Sequence, residues 1–401
     1  MIRPASRGLV LGACVLALGS CIASGFLGLA ERGGGQTGFG VLARRLPTSD
    51  ARSLELSGRI ARLLQAKIRE RAFPGAVAMV TRSGEVLAEV AVGRHSYDAG
   101  SPAVTPATRY DLASLTKVCA TLPALALLLD RHVLSLDDPV SRWVPTFAGS
   151  GKAEITLRQV SVHAAGLQAW MPFYKTLRSK AEVLQATAAL PLGSKPLQQY
   201  KYSDLGPVLL MGVIEQAAQT SLEDLLYRQV YPALGVKAVF TRTGSPIEAA
   251  PTEIDSWRGR TVVGEVHDEN AYAMGGVSGH AGLFGTAEDV ARIGNAFLGG
   301  GGGLWRAATV RALVRRQGLV GGSSRAILWD TFELGGSGGS KLSARAFGHT
   351  GFTGTSVWCD PATDLCMVLL TNRVYPTRKN PKIAAVRRAF CDLVADAVET
   401  R

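Results

Sequence analysis

The hydrophobic and polar positions change their spacing several times along the chain. Apolar residues recur at helical spacing over Leu54–Arg71, which predicts an amphipathic helix. Two strand-like runs follow at 76–80 and 86–92, and Arg82-Ser83-Gly84 between them predicts a β-hairpin. From about 112 to 300 the pattern is mainly helical, and Leu115–Leu129 and Leu205–Ala218 are apolar enough all round to be buried helices.

Strand patterns return after a glycine run at 299–303, namely at 326–329, 356–359 and 366–370, and a final helix is predicted from about 381 to 398. The simplest architecture is an α+β fold. An antiparallel sheet drawn from both ends of the chain is flanked by helices, and an all-helical lobe is inserted between the ends. We expect the sheet lobe at 51–110 and 300–401, the helical lobe at 111–299, and an active site in the cleft between them.

The first 21 residues resemble a signal peptide. Arg3 and Arg7 precede an apolar stretch, Leu9–Leu18, that is too short to span a bilayer. Residues 18–21, Leu-Gly-Ser-Cys, resemble a bacterial lipobox, in which Cys21 becomes the lipidated first residue. Ordinary cleavage further along the chain and an uncleaved anchor are the alternatives. Residues 22–50 are rich in glycine and predict a tether. From the signal peptide we expect an exported protein, in the periplasm or at the cell envelope.

The chain has 401 residues and a formal net charge of +12 at pH 7. A basic balance favours anionic partners such as a membrane surface, a wall polymer or a nucleic acid. No nucleic-acid-binding motif accompanies the charge, so we expect no nucleic-acid partner. The densest basic cluster, at 373–388, is interpreted as a solvated helix face. The oligomeric state stays undefined by the sequence.

The cysteines and histidines show no spacing typical of metal ligands. Cys359 and Cys366 flank a turn-like stretch between two strand-like runs, and an exported compartment permits a disulfide between them. His163, His267 and His280 are irregularly spaced, so no metal site is predicted. Neither a dinucleotide-binding fingerprint nor a P-loop occurs in the sequence, and we expect no cofactor.

Ser114-Leu115-Thr116-Lys117 is an S-x-x-K pattern at the start of an apolar helix. Residues three apart lie on one helical face, so the lysine can hold the serine hydroxyl in a reactive state. The pattern is also compatible with a helix cap followed by an exposed lysine. That alternative is weakened because Lys117 interrupts an otherwise apolar helix, where an unpartnered charge is costly. Ser114 is therefore the candidate nucleophile.

A second candidate segment, Tyr202-Ser203-Asp204, directly precedes the apolar helix that begins at Leu205. In an extended loop the side chains of Tyr202 and Asp204 project to the same side. A phenol beside a cation can transfer protons. The same three residues are also a typical capping loop, and the structural and chemical roles are compatible with each other.

The third candidate segment is Phe347–Gly354, which contains His349-Thr350-Gly351 and leads into a predicted strand. Its glycines allow a substrate to approach the strand backbone closely. A backbone N–H of this segment can act together with that of Ser114 to bind an oxyanion. Taken alone, the segment is better explained as a glycine-rich strand start with an incidental histidine.

Together and in this order, the three segments resemble the S-x-x-K, Y-x-N and K-T-G or H-x-G elements of the class C β-lactamase-like serine hydrolases. That family includes low-molecular-weight penicillin-binding proteins and related esterases. Leu134–Val140, Val162–Leu167 and Leu283–Val290 resemble further phrases of the family, and the resemblance covers roughly 55–395. It implies a β-lactamase/DD-peptidase-like fold, an α/β sandwich with an inserted helical lobe.

The resemblance also implies roles for individual residues. Ser114 would be acylated, Lys117 would activate it, and Tyr202 would be the general base. The backbone N–H groups of Ser114 and Phe352 would form the oxyanion hole. The substrate-binding positions that the resemblance implies are Asp204, His349, Thr350 and Gly351.

Two of these residues depart from the family pattern. Asp204 stands where asparagine is usual, and an ionised carboxylate cannot donate a hydrogen bond to a substrate amide. It can instead pair with Lys117 and keep it charged, which leaves Tyr202 as the base. His349 stands where β-lactamases usually have lysine, and an unperturbed histidine is mostly uncharged at neutral pH. Both changes favour a D-Ala-D-Ala-type carboxypeptidase or an esterase over an efficient β-lactamase.

Other functions stay open at this point. One is a β-lactamase, and another is a catalytically silent penicillin- or wall-binding protein, which would predict damage to the serine motif that this chain does not have. A membrane-tethered scaffold is a third. The expected partners are a small-molecule or peptidoglycan-peptide substrate and, if Cys21 is lipidated, a membrane. Beyond disfavouring an efficient β-lactamase, the sequence does not rank the substrates.

Overall fold

The computed structural model describes residues 44–45, 50–149 and 151–399, which belong to the unit Phe39–Arg401. The predicted signal peptide, Cys21 and almost all of the predicted tether lie outside these residues. The exceptions are Asp50, which caps the first helix, and Arg44–Arg45, which form a short strand inside the segment predicted to be a tether.

Strands from both ends of the chain form one sheet. The strands of the described residues are β1 (Arg44–Arg45), β2 (Gly75–Arg82), β3 (Glu85–Gly93), β4 (Tyr110–Asp111), β5 (Val239–Phe240), β6 (Ile254–Asp255), β7 (Arg260–Thr261), β8 (Leu283–Gly285), β9 (Asp330–Thr331), β10 (Phe347–Thr350), β11 (Ser356–Asp360) and β12 (Leu365–Thr371). Seven of them form a sheet in the order β1-β3-β2-β12-β11-β10-β9. Its neighbouring strands are antiparallel except for β1 with β3.

Helices flank this sheet and fill the middle of the chain. The α-helices of the described residues are α1 (Ala51–Arg69), α2 (Leu122–Asp130), α3 (Leu157–Ser161), α4 (Lys180–Ala189), α5 (Leu205–Ala218), α6 (Leu222–Leu225), α7 (Tyr231–Leu234), α8 (Glu269–Ala273), α9 (Ala287–Leu298), α10 (Ala307–Val314) and α11 (Ile383–Glu399). The predicted α+β architecture of β-lactamase/DD-peptidase type is confirmed.

The centre of the sheet is the antiparallel pair β2–β12, and both of its faces are covered. Ala78 and Val80 of β2 pack with α1 and α11 in one apolar cluster. Val77 and Met79 point to the other face and pack in the cluster that contains α9. Every residue of β12 is buried. A strand that is covered on both sides has no polar face to show, which explains its nearly continuous apolar run.

The helical region is built around two apolar helices, α2 and α5. The first ten residues of α5 are all buried. By length and hydropathy, Ala113–Asp130 is the one segment of the described residues that could cross a membrane, but 83% of it is buried inside the protein. It is a core helix, as its apolar surroundings indicate.

The middle of the chain is not wholly helical, in contrast to the prediction. The short strands β4, β8 and β5 form a three-stranded sheet, and β6 pairs with β7. Strands of two or three residues are too short to show an alternating pattern, so the sequence could not reveal them.

The predicted strand at 326–329 is also absent from the described structure. All four residues are buried, but Leu328 has φ +59°, a left-handed conformation that ends any extended run. Trp329 packs against Phe297 and Phe347. The apolar run therefore marks burial rather than a strand, and periodicity alone does not separate the two.

The basic cluster at 373–388 is not a uniformly solvated face, so that interpretation was wrong for two of its members. Arg373 and Arg387 are buried, whereas Lys379 and Lys382 are exposed. Arg387 lies on α11, on the side that covers the sheet. A charge pattern cannot show which arginine of a basic helix turns inward.

Cys359 and Cys366 lie opposite each other on β11 and β12. Their Sγ atoms are 3.2 Å apart and both residues are thiols in the structure. The pair is buried against Gly294 of α9, where an added Cβ would lie 2.7 Å from Cys366 Sγ. The two cysteines are thus neighbours, but the disulfide that the sequence permits is not formed in this structure.

Candidate active site

Ser114 lies at the start of the core helix Ala113–Asp130, directly after the three-stranded sheet β4-β8-β5. β4 ends at Asp111, Ala113–Leu115 form one turn of 3-10 helix, and Lys117–Thr121 form a π-helical turn that continues into α2. Ala113 has φ +47°, a conformation that costs a non-glycine residue about 1–2 kcal/mol. The Asp111 carboxylate holds this turn because it accepts from Ala113 N–H at 2.8 Å.

Lys117 is buried, and its ammonium has three acceptors. Nζ lies 2.9 Å from Ser114 Oγ, 2.7 Å from Asp204 Oδ1 and 3.2 Å from the carbonyl oxygen of His280. Three donors thus meet three acceptors, as a buried ammonium requires. An exposed lysine, the alternative compatible with the sequence, is excluded.

The charge state of Lys117 follows from its neighbours. Burial lowers the pKa of Lys117, but the Asp204 carboxylate and Tyr202 raise it by more, so the net shift is upward. The ammonium therefore stays charged and donates to the serine oxygen, and it cannot take the serine proton in this state. Tyr202, whose ring centre is 5.1 Å from Lys117 Nζ, is the remaining candidate for the base.

The start of α5 positions Asp204. Leu205 N–H donates to Ser203 Oγ at 3.1 Å, so Ser203 caps the helix. The Asp204 side chain makes no capping bond and is free to pair with Lys117. A capping loop and a chemical role thus coexist in this segment, as the sequence allowed.

Two histidines line Tyr202. The His163 ring centre lies 4.6 Å from that of Tyr202, and Ser203 N–H donates to His163 Nδ1 at 3.2 Å. His349 lies 6.2 Å from Tyr202 on β10 and directs Nδ1 to the carbonyl of Thr350 at 2.9 Å. Burial, and then the charges of Arg325 and Lys117, lower the pKa of both histidines well below the usual value. Both rings are therefore neutral at neutral pH.

The loop after β10 is tied to the serine segment. Thr353 Oγ1 donates to the carbonyl of Asp111 at 2.7 Å, and Thr355 Oγ1 donates to the carbonyl of Leu112 at 3.0 Å. Gly351 has to be glycine at this junction, because a Cβ would lie 2.5 Å from the Leu112 carbonyl oxygen. The loop and Ser114 are thus held in a fixed relation.

Phe352 sits at the tip of this loop with 48% of its surface exposed. His267 stacks on its ring at 5.7 Å, and the Arg373 guanidinium lies 4.5 Å from the ring centre. Its backbone N–H has no acceptor among the hydrogen bonds of the described residues. That donor is available for a ligand.

The three irregularly spaced histidines, His163, His267 and His280, have separate hydrogen-bond partners. His163 accepts from Ser203 N–H, His267 Nε2 contacts Glu253 at 2.9 Å, and His280 Nε2 contacts Asp268 at 3.0 Å. Within the part of the chain that the structure describes, no cluster of metal-ligating side chains is found.

Several residues of this site carry no signal in the sequence. Asp111 holds the serine turn, Arg325 lies 5.4 Å from the Tyr202 ring centre, and Thr353 and Thr355 tie the third segment to the first. Thr353 stands inside a segment already singled out, Phe347–Gly354, and Thr355 directly follows that segment. Arg325 could be found only through a contact between distant parts of the chain, whereas Asp111 acts on a residue two positions away with which no sequence pattern connects it.

Known proteins are similar to this chain over most of its length. The chain matches the Beta-lactamase family model over residues 60–391. A protein of Salmonella gallinarum, provisionally named a D-alanyl-D-alanine carboxypeptidase, is 33% identical over 322 residues, which cover 70% of this chain and 72% of that protein. A protein of Salmonella agona with the same name has the same identity and coverage.

Solved structures share the fold. EstCE1, described as a hydrolase with promiscuous acyltransferase activity, has a TM-score of 0.65 at 24% identity, over 84% of this chain and 99% of that one. The octameric penicillin-binding protein homologue from Pyrococcus abyssi has a TM-score of 0.67 at 19% identity, over 84% of this chain and 77% of that one. The family match extends over most of the chain and includes the segments that carry Ser114, Lys117 and Tyr202. The chain is therefore a member of the Beta-lactamase family of serine hydrolases, to which penicillin-binding proteins and related esterases also belong.

Proposed function

We propose that the protein is an exported serine hydrolase that forms an acyl-enzyme on Ser114, and that its substrates are D-Ala-D-Ala-type peptides or small esters. The observation that carries the proposal is the 2.9 Å hydrogen bond from the buried Lys117 ammonium to Ser114 Oγ. A buried charge is costly to maintain, and this one is directed at a serine oxygen. The names of the Salmonella relatives support the peptidase assignment.

In the proposed reaction, Tyr202 acts as the phenolate beside the Lys117 ammonium. Its oxygen takes the proton of Ser114 Oγ and becomes the neutral phenol, while the serine oxygen attacks the substrate carbonyl. Lys117, kept charged by Asp204, stabilises the negative charge that develops beside it. The N–H groups of Ser114 and Phe352 bind the oxyanion of the tetrahedral intermediate. Tyr202 returns the proton to the leaving amine or alcohol, and water then hydrolyses the acyl-enzyme by the same steps.

The surroundings of His349 support a peptidase or esterase over a β-lactamase. Its ring is buried and neutral, so it supplies no cation where β-lactamases of the family usually have lysine. Lys117 and Arg325 also oppose a further positive charge at this position, since both lower the pKa of His349. β-Lactam turnover is the weaker alternative, and the intact contact between Ser114 and Lys117 disfavours a silent binding protein.

The proposed nucleophile is tested by Ser114→Ala. We expect the wild type to gain one fixed mass increment with a fluorophosphonate or a fluorescent penicillin, and the variant to gain none, because it lacks the oxygen that forms the bond. Ser141→Ala is the control and should be labelled like the wild type, because Ser141 is not the proposed nucleophile. Its hydroxyl donates to the Ala153 carbonyl at 2.7 Å. Undiminished labelling of Ser114→Ala in intact-mass spectra would exclude the assignment.

The substrate class is tested by comparing kcat/KM for a p-nitrophenyl ester, a D-alanyl-D-alanine peptide and nitrocefin. A missing charged contact to the β-lactam carboxylate costs about 1.5–3 kcal/mol, which is about tenfold to hundredfold in specificity. An ester without a carboxylate does not need that contact. The D-alanyl-D-alanine peptide carries a carboxylate of its own, so the comparison with the ester is the one that tests His349. We expect nitrocefin to be a poorer substrate than the ester, and faster turnover of nitrocefin than of the ester would contradict this interpretation of His349.

The pairing of Lys117 is tested by Asp204→Asn. The carboxylate is the main group that raises the pKa of Lys117, so without it burial dominates and the folded-state pKa falls below the unfolded value. A lysine whose pKa is lowered in the folded state destabilises the fold at pH values below its pKa in the unfolded state, which is about 10.4. We expect a loss of about 1–3 kcal/mol at pH 7 and a smaller loss at pH 10.

Chemical denaturation at the two pH values measures this difference. Asp224→Asn is the control. Asp224 forms an exposed pair with Arg228 at 3.7 Å, and exposed pairs contribute at most about 1 kcal/mol. Its carboxylate also accepts from Ser221 Oγ at 2.9 Å, and the asparagine side chain keeps an oxygen that can accept the same bond. An Asp204→Asn loss that is equal at pH 7 and pH 10 would show that the charge of Lys117 does not depend on Asp204.

We further propose that Cys21 is lipidated and holds the enzyme at the cell envelope, with residues 22–50 as the tether. The lipobox-like residues 18–21 support this proposal. The wild type should then enter the detergent phase on phase separation, and Cys21→Ser should remain in the aqueous phase. Wild-type protein found only in the aqueous phase would refute lipidation.

A further inference from the structure

Arg387 is a buried arginine without a carboxylate partner among the described residues. It lies on α11, and its Nη2 donates to two backbone carbonyls, that of Gly351 at 2.6 Å and that of Thr355 at 2.8 Å. Burial, and then the charge of Arg373, lower its pKa. Buried charges are usually paired with an opposite charge. Packing alone therefore does not explain why a buried guanidinium donates to two backbone carbonyls.

The carbonyl of Gly351 belongs to the peptide whose nitrogen is that of Phe352. A trans peptide is planar, and its C=O and N–H point in opposite directions. A donor that fixes the direction of this carbonyl therefore also fixes the direction of Phe352 N–H. That N–H points away from Arg387 and has no acceptor among the described residues. A charged donor on the carbonyl also polarises the peptide and strengthens its N–H as a donor.

We propose that Arg387 is a positioning residue of the oxyanion hole. Its guanidinium orients the Gly351–Phe352 peptide so that Phe352 N–H faces the oxyanion formed on attack by Ser114. The proposal rests on the proposed function, since it assigns a role in acylation. Arg387 touches neither the substrate nor the serine, and it acts through the peptide that it holds.

Other contacts hold the loop but do not replace this one. Thr353 and Thr355 fix the loop to the serine segment through their hydroxyl groups. Gly354 N–H also donates to the Gly351 carbonyl at 3.1 Å, but it is neutral. Loss of Arg387 should therefore leave the loop in place and weaken the donor, which gives a partial loss of rate. Removal of a whole oxyanion donor costs about 100-fold to 1,000-fold in kcat, and we expect about tenfold here.

The test compares Arg387→Met, Arg387→Lys and Arg388→Met, with a p-nitrophenyl ester as substrate. Methionine removes the charge and the donors, whereas lysine keeps a charged donor. Arg388 is the next residue of the same helix, and its half-buried side chain makes no hydrogen bond among the described residues. Active sites are counted by fluorophosphonate titration, so that unfolded protein does not enter kcat. We expect kcat to fall about tenfold in Arg387→Met with KM within twofold, a smaller fall in Arg387→Lys, and no change in Arg388→Met.

A second measurement is the inhibition constant Ki of a boronic acid that forms a tetrahedral adduct on Ser114. This Ki would not change if Arg387 had a purely structural role. The Ki should rise in Arg387→Met by the same factor by which kcat falls, because both report stabilisation of the oxyanion. Unchanged kcat and Ki per titrated site, even with a lowered Tm, would overturn the proposal. If Arg387→Met does not fold, the same two measurements on Arg387→Lys decide. A wild type that fluorophosphonate does not label at Ser114 would instead refute the proposed function.

Discussion

The buried ammonium of Lys117 is the constraint on which the rest of the site depends. With no exposed side-chain surface, it needs an acceptor for each of its three donors. Ser114, Asp204 and the carbonyl of His280 supply them, and each comes from a different stretch of the chain. The requirement fixes the start of the core helix, the start of α5 and the segment before β8 relative to one another. The relative placement of these three segments and the proposed reactivity of the serine therefore depend on the same contacts.

A second set of contacts joins that helical arrangement to the sheet. The carbonyls just before Ser114 accept from the hydroxyls of Thr353 and Thr355, and Arg387 reaches the same loop from α11. The loop is thus held from the serine side by neutral donors and from the helix side by a charged one. A strained residue such as Ala113 persists only where its surroundings over-determine it, and these contacts do so.

The sequence predicted the elements whose period is long enough to recognise. α5 has the predicted bounds, Leu205–Ala218, and both strands that carry Cys359 and Cys366 were expected. Ser114 and Asp204 were also predicted as partners of Lys117, because each stands in a local pattern with chemical meaning, whereas the third acceptor, the carbonyl of His280, was not predicted. The role of Arg387 could not be predicted in this way, since it depends on a contact across 36 positions. In the sequence it is one of several basic residues on a helix.

The cation that contacts Ser114 directly is matched by a carboxylate, although the whole chain carries +12. Lys117 is neutralised by Asp204, and burial keeps His163 and His349 uncharged. Catalysis at such a site cannot rely on a general excess of positive charge. In the proposed mechanism it relies on donors that already point to where negative charge develops, which need no reorganisation during the reaction. The direction of each donor then matters more than the number of cations, and buried groups that set those directions belong to the functional site even when they touch no substrate.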